Sequence, residues 1–234
     1  MGQKFLVEVF ALNKYRLKFS KIGKIRYTGH LDLLKIFQRA IKRANLPISY
    51  SKGFNPHQIM SFAIPLPLGM ESESEYIDMQ LEEDLNTNYI KDILNQHMPI
   101  GMEILNVVKL KEGQKSAPSI VFIGEYEILL DNNINKNNID DFLNQKEINI
   151  ERLTKKRGKE IIKTVNIIED IFNIEYIENN KIKAKISTGS VRNLKPDILV
   201  ETFYKFLNIP YEKHKIYYKR VGLFDENKIQ LDFL

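Results

Sequence analysis

A change of hydrophobic period near residue 29 constrains the fold more than any other feature of the chain. Tyr15, Leu17 and Phe19 alternate with Arg16, Lys18 and Ser20, the period-two pattern of a strand with one apolar and one basic face. Ile22-Gly23-Lys24 permits a turn or bulge, so Tyr15 to Tyr27 reads as a strand pair or one long bent strand. From His30 to Asn45 the period becomes 3.6: Leu33, Leu34, Ile36, Phe37, Ala40, Ile41 and Ala44 share one side of a helix, while Lys35, Arg39, Lys42 and Arg43 gather on the other. Thr28 or Gly29 suits the start of that helix, Asp32 suits its positive end, and Leu46-Pro47 stops it.

The same alternation of periods continues. Ile48 to Tyr50 and Glu75 to Leu81 read as strands, Asn88 to His97 as a helix and Glu103 to Leu110 as a closing strand, which completes a β-α-β-β-α-β order. Lys111 to Pro118 is a polar linker containing glycine and proline. Beyond it come candidate strands at Tyr126–Leu130, Ile148–Leu153, Glu160–Ile168, Phe172–Tyr176, Ile182–Ile186 and Ile216–Leu223. Helices are expected at Ile139–Leu143 and at Asp197–Leu207, the latter opened by Pro196 at its first position. The expected class is α+β, as two tandem ferredoxin-like (βαββαβ) lobes: a basic N-terminal lobe over 1–112 and a second over 119–234.

Charge is distributed unevenly. Between Lys14 and His57 eleven basic residues face Asp32 alone, a net +10, whereas the remaining chain carries 24 basic and 29 acidic residues. Such a concentration is the electrostatic signature of a polyanion partner. The chain has no cysteine, which excludes disulfides, thiolate nucleophiles and cysteine-held zinc or iron–sulfur centres. No cofactor or metal site is expected. The acidic runs Glu71–Glu75 and Glu82–Asp84 have no cation-loop spacing and read as solvated surface. No apolar run is long enough to span a membrane and no export signal opens the chain, so a cytoplasmic location is expected.

Three groups of residues carry possible chemistry. Lys35, Arg39 and Lys42, with Arg43 beside them, could follow successive phosphates, or form an ordinary charged helix face. Arg26 and His30 sit at the strand-to-helix corner, where His30 could cap or pack, touch a ligand, or act with Asp32 as acid or base. In the loop Ser51 to His57, Gly53 frees the backbone, Lys52 supplies charge, Phe54 a stacking surface, and Asn55 and His57 hydrogen-bonding groups; the alternative is a tight turn anchored by Phe54. Lys156-Arg157-Gly158-Lys159 reads as a basic hairpin tip. No phosphate-binding glycine loop and no Gly-x-Ser-x-Gly elbow occurs, and the sequence reveals no reaction.

Several segments together resemble a bacterial family, the radical-SAM-associated (radical-SAM-linked) proteins, a domain of unknown function. They are Lys21–Tyr27, His30-Leu31-Asp32-Leu33, Arg39–Pro47, Ser51–His57 and Pro65-Leu66-Pro67-Leu68-Gly69, with looser matches at Arg152–Lys159 and Ser190–Pro196. The resemblance implies association with a radical-SAM protein and brings no established reaction. Three functions follow as expectations. The first is an RNA-binding accessory factor linked to a radical-SAM or other RNA-modifying or RNA-processing enzyme. The second is a protein-interaction subunit that docks a radical-SAM enzyme without RNA. The third is a metal-independent RNA-processing enzyme using His30 and His57.

Overall fold

A computed structural model describes residues 13–156 and 159–233, the side chains of 154–159 excepted. The N-terminal residues and two residues of the expected hairpin tip, Arg157 and Gly158, therefore lie outside the described residues. The first half runs β1 (Asn13–Lys21), α1 (His30–Arg43), β2 (Met60–Phe62), β3 (Glu71–Leu81), α2 (Thr87–Asn95) and β4 (Met102–Lys109). A short helix α3 (Ala117–Ile120) leads into β5 (Ile123–Leu129), α4 (Lys136–Leu143), β6 (Asn149–Lys156), β7 (Lys159–Asn166), β8 (Ile171–Glu178), β9 (Lys181–Ser187), α5 (Pro196–Phe206) and β10 (Tyr217–Phe224).

The class is α+β. In the first half the strand order is β4-β1-β3 with β2 beside β3; in the second it is β10-β5-β9-β8, with the β6–β7 hairpin inserted as a separate two-stranded sheet. Both halves thus repeat one connectivity, and every strand pair within a half is antiparallel. They join into one sheet because β1 takes one edge of β3 and the other edge is divided. The three-residue β2 pairs with Ile77–Met79, and β10 pairs parallel with Glu71 and Ser72. Pro65 and Pro67, which lack N–H donors, follow β2 and keep that part of the edge open for β10.

One face of the sheet continues across the junction. Tyr126 lies opposite Arg220, Arg220 opposite Ser72, and Ser72 opposite Lys21, the residue in register with Phe19 and Leu17. On this face α1 and α2 cover one core around Phe19, Phe37 and Ile77, while α4 and α5 cover another around Tyr126, Phe142 and Phe203. The opposite face is covered in its middle by α3 and the C-terminal segment, through Ala117 and Leu231 packed on Tyr76 and Leu223.

Some expected elements differ. The strand from Tyr15 ends at Lys21, because Gly23 adopts a positive φ of 72° and turns the chain into a 3-10 turn over Gly23–Tyr27. Ile48 and Tyr50 make only isolated bridges, to Leu81 and Gln58, and the regular partner of β3 falls later, at Met60–Phe62. The run Glu71–Glu75, expected as solvated surface, is the first half of β3, with Glu71, Ser72, Ser74 and Glu75 buried.

Two carboxylates of β3 pair with buried arginines, Glu75 with Arg220 and Asp78 with Arg16. Arg16 donates two bonds to Asp78, at 2.8 and 3.1 Å, and one each to the carbonyls of Leu231 and Lys115. Asp78 also accepts the N–H of Ala117 at 2.7 Å, so one ion pair fixes the linker and the C-terminal segment to the sheet. Removing one partner strands a buried charge. Arg16→Met is expected to lower stability by about 3–5 kcal/mol in urea unfolding. Adding Asp78→Leu should recover part of that loss, because two apolar side chains leave no unpaired charge; equal stability of wild type and Arg16→Met would contradict the pairing.

Candidate nucleic-acid interface

The cations of the N-terminal segment divide into two groups. Apart from exposed Lys14, those on the strand are internal or paired: Arg16 holds Asp78, Lys18 lies 3.5 Å from Asp232, and buried Lys21 donates to the carbonyl of Thr28 at 2.8 Å. Burial lowers the Lys21 pKa, with Arg220 adding to the effect and Glu75 opposing it. Arg26 is part-buried, stacked on the ring of Tyr27 (5.0 Å to its centroid) and bonded to the Tyr27 hydroxyl and to Glu71. The strand therefore adds only Lys14 to the exposed cations, so the eleven basic residues of this segment do not converge on one open surface.

The cations of α1 do form such a surface. Leu33, Phe37, Ala40 and Ile41 bury the apolar face, leaving Lys35, Arg39, Lys42 and Arg43 exposed on the other. Lys35 lies 3.4 Å from exposed Asp32, a contact worth under about 1 kcal/mol. Arg43 donates to the carbonyl of His97. Among the described residues the side chains of Arg39 and Lys42 bond to no other group. One helical turn apart, they leave adjacent cationic groups facing solvent.

α1 begins beside Lys21 and runs back towards Ile48, which bridges Leu81 opposite Asn13 at the start of β1. The loop Ser51–His57 emerges at this same end. Its neck closes through Ser51 N–H to His57 O and a 2.8 Å bond between Ser51 Oγ and His57 Nδ1, and Gly53 takes φ 128°. Lys52, Phe54, Asn55 and His57 are all exposed. Phe54, at 106% exposure, anchors nothing, so the tight turn packed on Phe54 is not what forms.

His30 opens α1, edge-on to Phe62 with ring centroids 5.2 Å apart, after an N-cap, Gly29, that offers no side-chain bond. It borders a cavity of about 10 Å³ with Lys21, Thr28 and Glu75, whereas His57 borders a different one of about 350 Å³ with Lys14, Ser51, Ser61 and Gln80. The two histidines share no cavity. Among the described residues no three histidine or acidic side chains converge as a metal site.

Two features escaped the sequence reading. Tyr27, Leu31, Leu68 and Ile100 are all more than half exposed around the turn after β1, where Gly69 packs on Tyr27 and Gly101 on Ile22 and Ile25. At the junction of the halves Arg220 is fully buried, donating to Glu75 at 2.8 Å and to the Tyr126 hydroxyl at 3.2 Å. Burial opposes its charge, yet Glu75 and Tyr126 raise its pKa. The exposed Tyr27 and Leu31, apolar between polar neighbours, were a legible signal; Arg220 and Glu75 lie 145 residues apart and gave none.

Fold and surface together define an α+β protein with a doubled βαββαβ sheet and one open cationic helix face. The chain belongs to the family described as an uncharacterized protein conserved in bacteria (DUF2344), which it matches over residues 14–196. No curated protein matches it. Among solved structures it is similar to a chain in the crystal structure of a Cbf5-Nop10-Gar1 complex, at 11% identity and a TM-score of 0.45. That similarity covers 91% of this chain and spans half the length of the other. Among the described residues no helix is long and apolar enough to cross a membrane.

Glu71 gives the seam beside this site a pH signature. Burial raises its pKa, but bonds from the Tyr217 hydroxyl, the Gly23 N–H and Arg26 outweigh that and hold it below the ordinary glutamate value. A carboxylate depressed on folding stabilises above its unfolded pKa and loses that contribution as pH falls through the folded value. Chemical unfolding as a function of pH should therefore show stability falling below the ordinary glutamate range, with a shallower fall in Glu71→Gln. An identical acid limb in the two proteins would contradict the assignment.

Proposed function

We propose that this protein is a cytoplasmic RNA-binding accessory factor that holds RNA phosphates on the outer face of α1 and stacks an unpaired base on Phe54. The observation that carries this reading is the unpaired state of Arg39 and Lys42 on a helix face where Asp32 is the single carboxylate. Unpaired guanidinium and ammonium groups, ready to displace counterions from a phosphate backbone, sit at the end of the sheet from which a fully exposed aromatic ring also projects. The enzyme it serves, in this reading, is a radical-SAM or other RNA-modifying or RNA-processing protein, as the resemblance at Lys21–Tyr27, His30–Leu33 and Ser51–His57 implies.

Docking of a radical-SAM enzyme without RNA is a second reading, favoured by the exposed Tyr27, Leu31, Leu68 and Ile100 at the opposite end of α1. Nuclease treatment during co-purification separates the two, since a protein contact survives it.

Binding to a labelled RNA stem–loop should weaken by a thousandfold or more between about 50 and 200 mM salt if six or more phosphates are engaged. Arg39→Glu/Lys42→Glu should weaken it on the order of a hundredfold and flatten the salt dependence by about two contacts. Unchanged affinity in that double variant would remove the RNA reading.

A further inference from the structure

The β6–β7 hairpin has a composition and a register that its own stability does not explain. Residues 149–166 contain six basic and two acidic residues, while the chain outside this hairpin and outside 14–57 carries 18 basic against 27 acidic. Among the described residues the hairpin pairs with no other strand, and two-stranded ribbons are marginal alone. Near its base Ile150 and Val165 pack on the second core, and Arg152 donates to the Asn193 carbonyl at 3.2 Å. At this level the register sets exposed Arg152 opposite exposed Lys163. Like charges directly opposite destabilise a strand pair. The arrangement makes physical sense when an anion lies between or along them.

The position of the hairpin matters as much. In each half the chain leaves the first helix and returns to the second strand through one connection: Ala44–Ile59, carrying Lys52 and Phe54, in the first, and Asn144–Asp170, carrying the hairpin, in the second. β10 runs parallel to β3, and β1 and β5 are each antiparallel to one of that pair, so β1 and β5 are parallel. Both connections consequently emerge at the same end of the sheet.

We propose that the β6–β7 hairpin is a second RNA contact, its Arg152–Lys163 face lying on the phosphate backbone of the RNA that α1 and the Lys52–His57 loop engage. This rests on the RNA reading above and extends it to a footprint that spans both halves of the sheet.

The test is Lys163→Glu in the full chain, assayed with the same labelled stem–loop and by thermal unfolding, beside Arg39→Glu/Lys42→Glu. The substitution places an opposite charge across from Arg152, so the unfolding midpoint stays the same or rises. RNA affinity nevertheless falls roughly tenfold, and the slope of log affinity against log salt drops by about one. Affinity and slope equal to wild type in Lys163→Glu, with binding lost in the α1 double variant, overturn the hairpin contact and leave the α1 reading intact. Wild-type affinity in both variants overturns both. Weaker binding with a lowered unfolding midpoint also overturns the proposal, since it marks Lys163 as structural.

Discussion

Two buried arginines hold the molecule together, one on each face of its sheet. Their cost is large, because a guanidinium taken from water loses several kcal/mol of solvation that only a close carboxylate and further acceptors offset. Both sites meet that requirement: Arg16 has both oxygens of Asp78 and two carbonyls, and Arg220 has Glu75, the Tyr126 hydroxyl and the Pro65 carbonyl at 3.4 Å. Between the halves the sheet itself contributes only the short pairing of Lys219 and Arg220 with Glu71 and Ser72. Arg220 fastens that seam on the helix side. Arg16 fastens the linker and the C-terminal segment across the other.

This internal use of charge determines what remains for function. A strand that carries Arg16, Lys18 and Lys21 looks, as sequence, like part of a polyanion site, yet those side chains are committed to Asp78, Asp232 and the Thr28 carbonyl. Beyond Lys14 and Lys24, the exposed cations of this segment lie in two places, on the outer face of α1 and in the loop after it. Both stand on elements whose positions are fixed by Phe37 and Ile41 below and by the closed neck of the loop. The hairpin of the second half adds cations at an equivalent place in the repeated connectivity.

Local pattern made much of this legible. α1 was readable to within two residues because its apolar and cationic stripes, its preceding glycine and the following Leu46-Pro47 all agree. The βαββαβ order of the first half followed from the same logic, although its second strand was placed at Ile48–Tyr50 when β3 is joined by Met60–Phe62. Pattern failed where a charged residue is satisfied from far along the chain. Glu71 and Glu75 read as surface because their partners Tyr217 and Arg220 lie about 145 residues away, and periodicity carries no information about such pairings. The continuity of the two halves through β3 and β10 was invisible for the same reason.

Cations on the α1 face are open while Arg16 on β1 and Lys181 on β9 are paired, and lysine acetylation with and without bound RNA reads that division directly. Bound RNA should protect Lys35, Lys42, Lys52 and Lys163, while Lys181 of β9, paired with Glu127 of β5 at 2.7 Å, reacts equally in both states. Protection spread evenly over these lysines, or absent from α1, would contradict it.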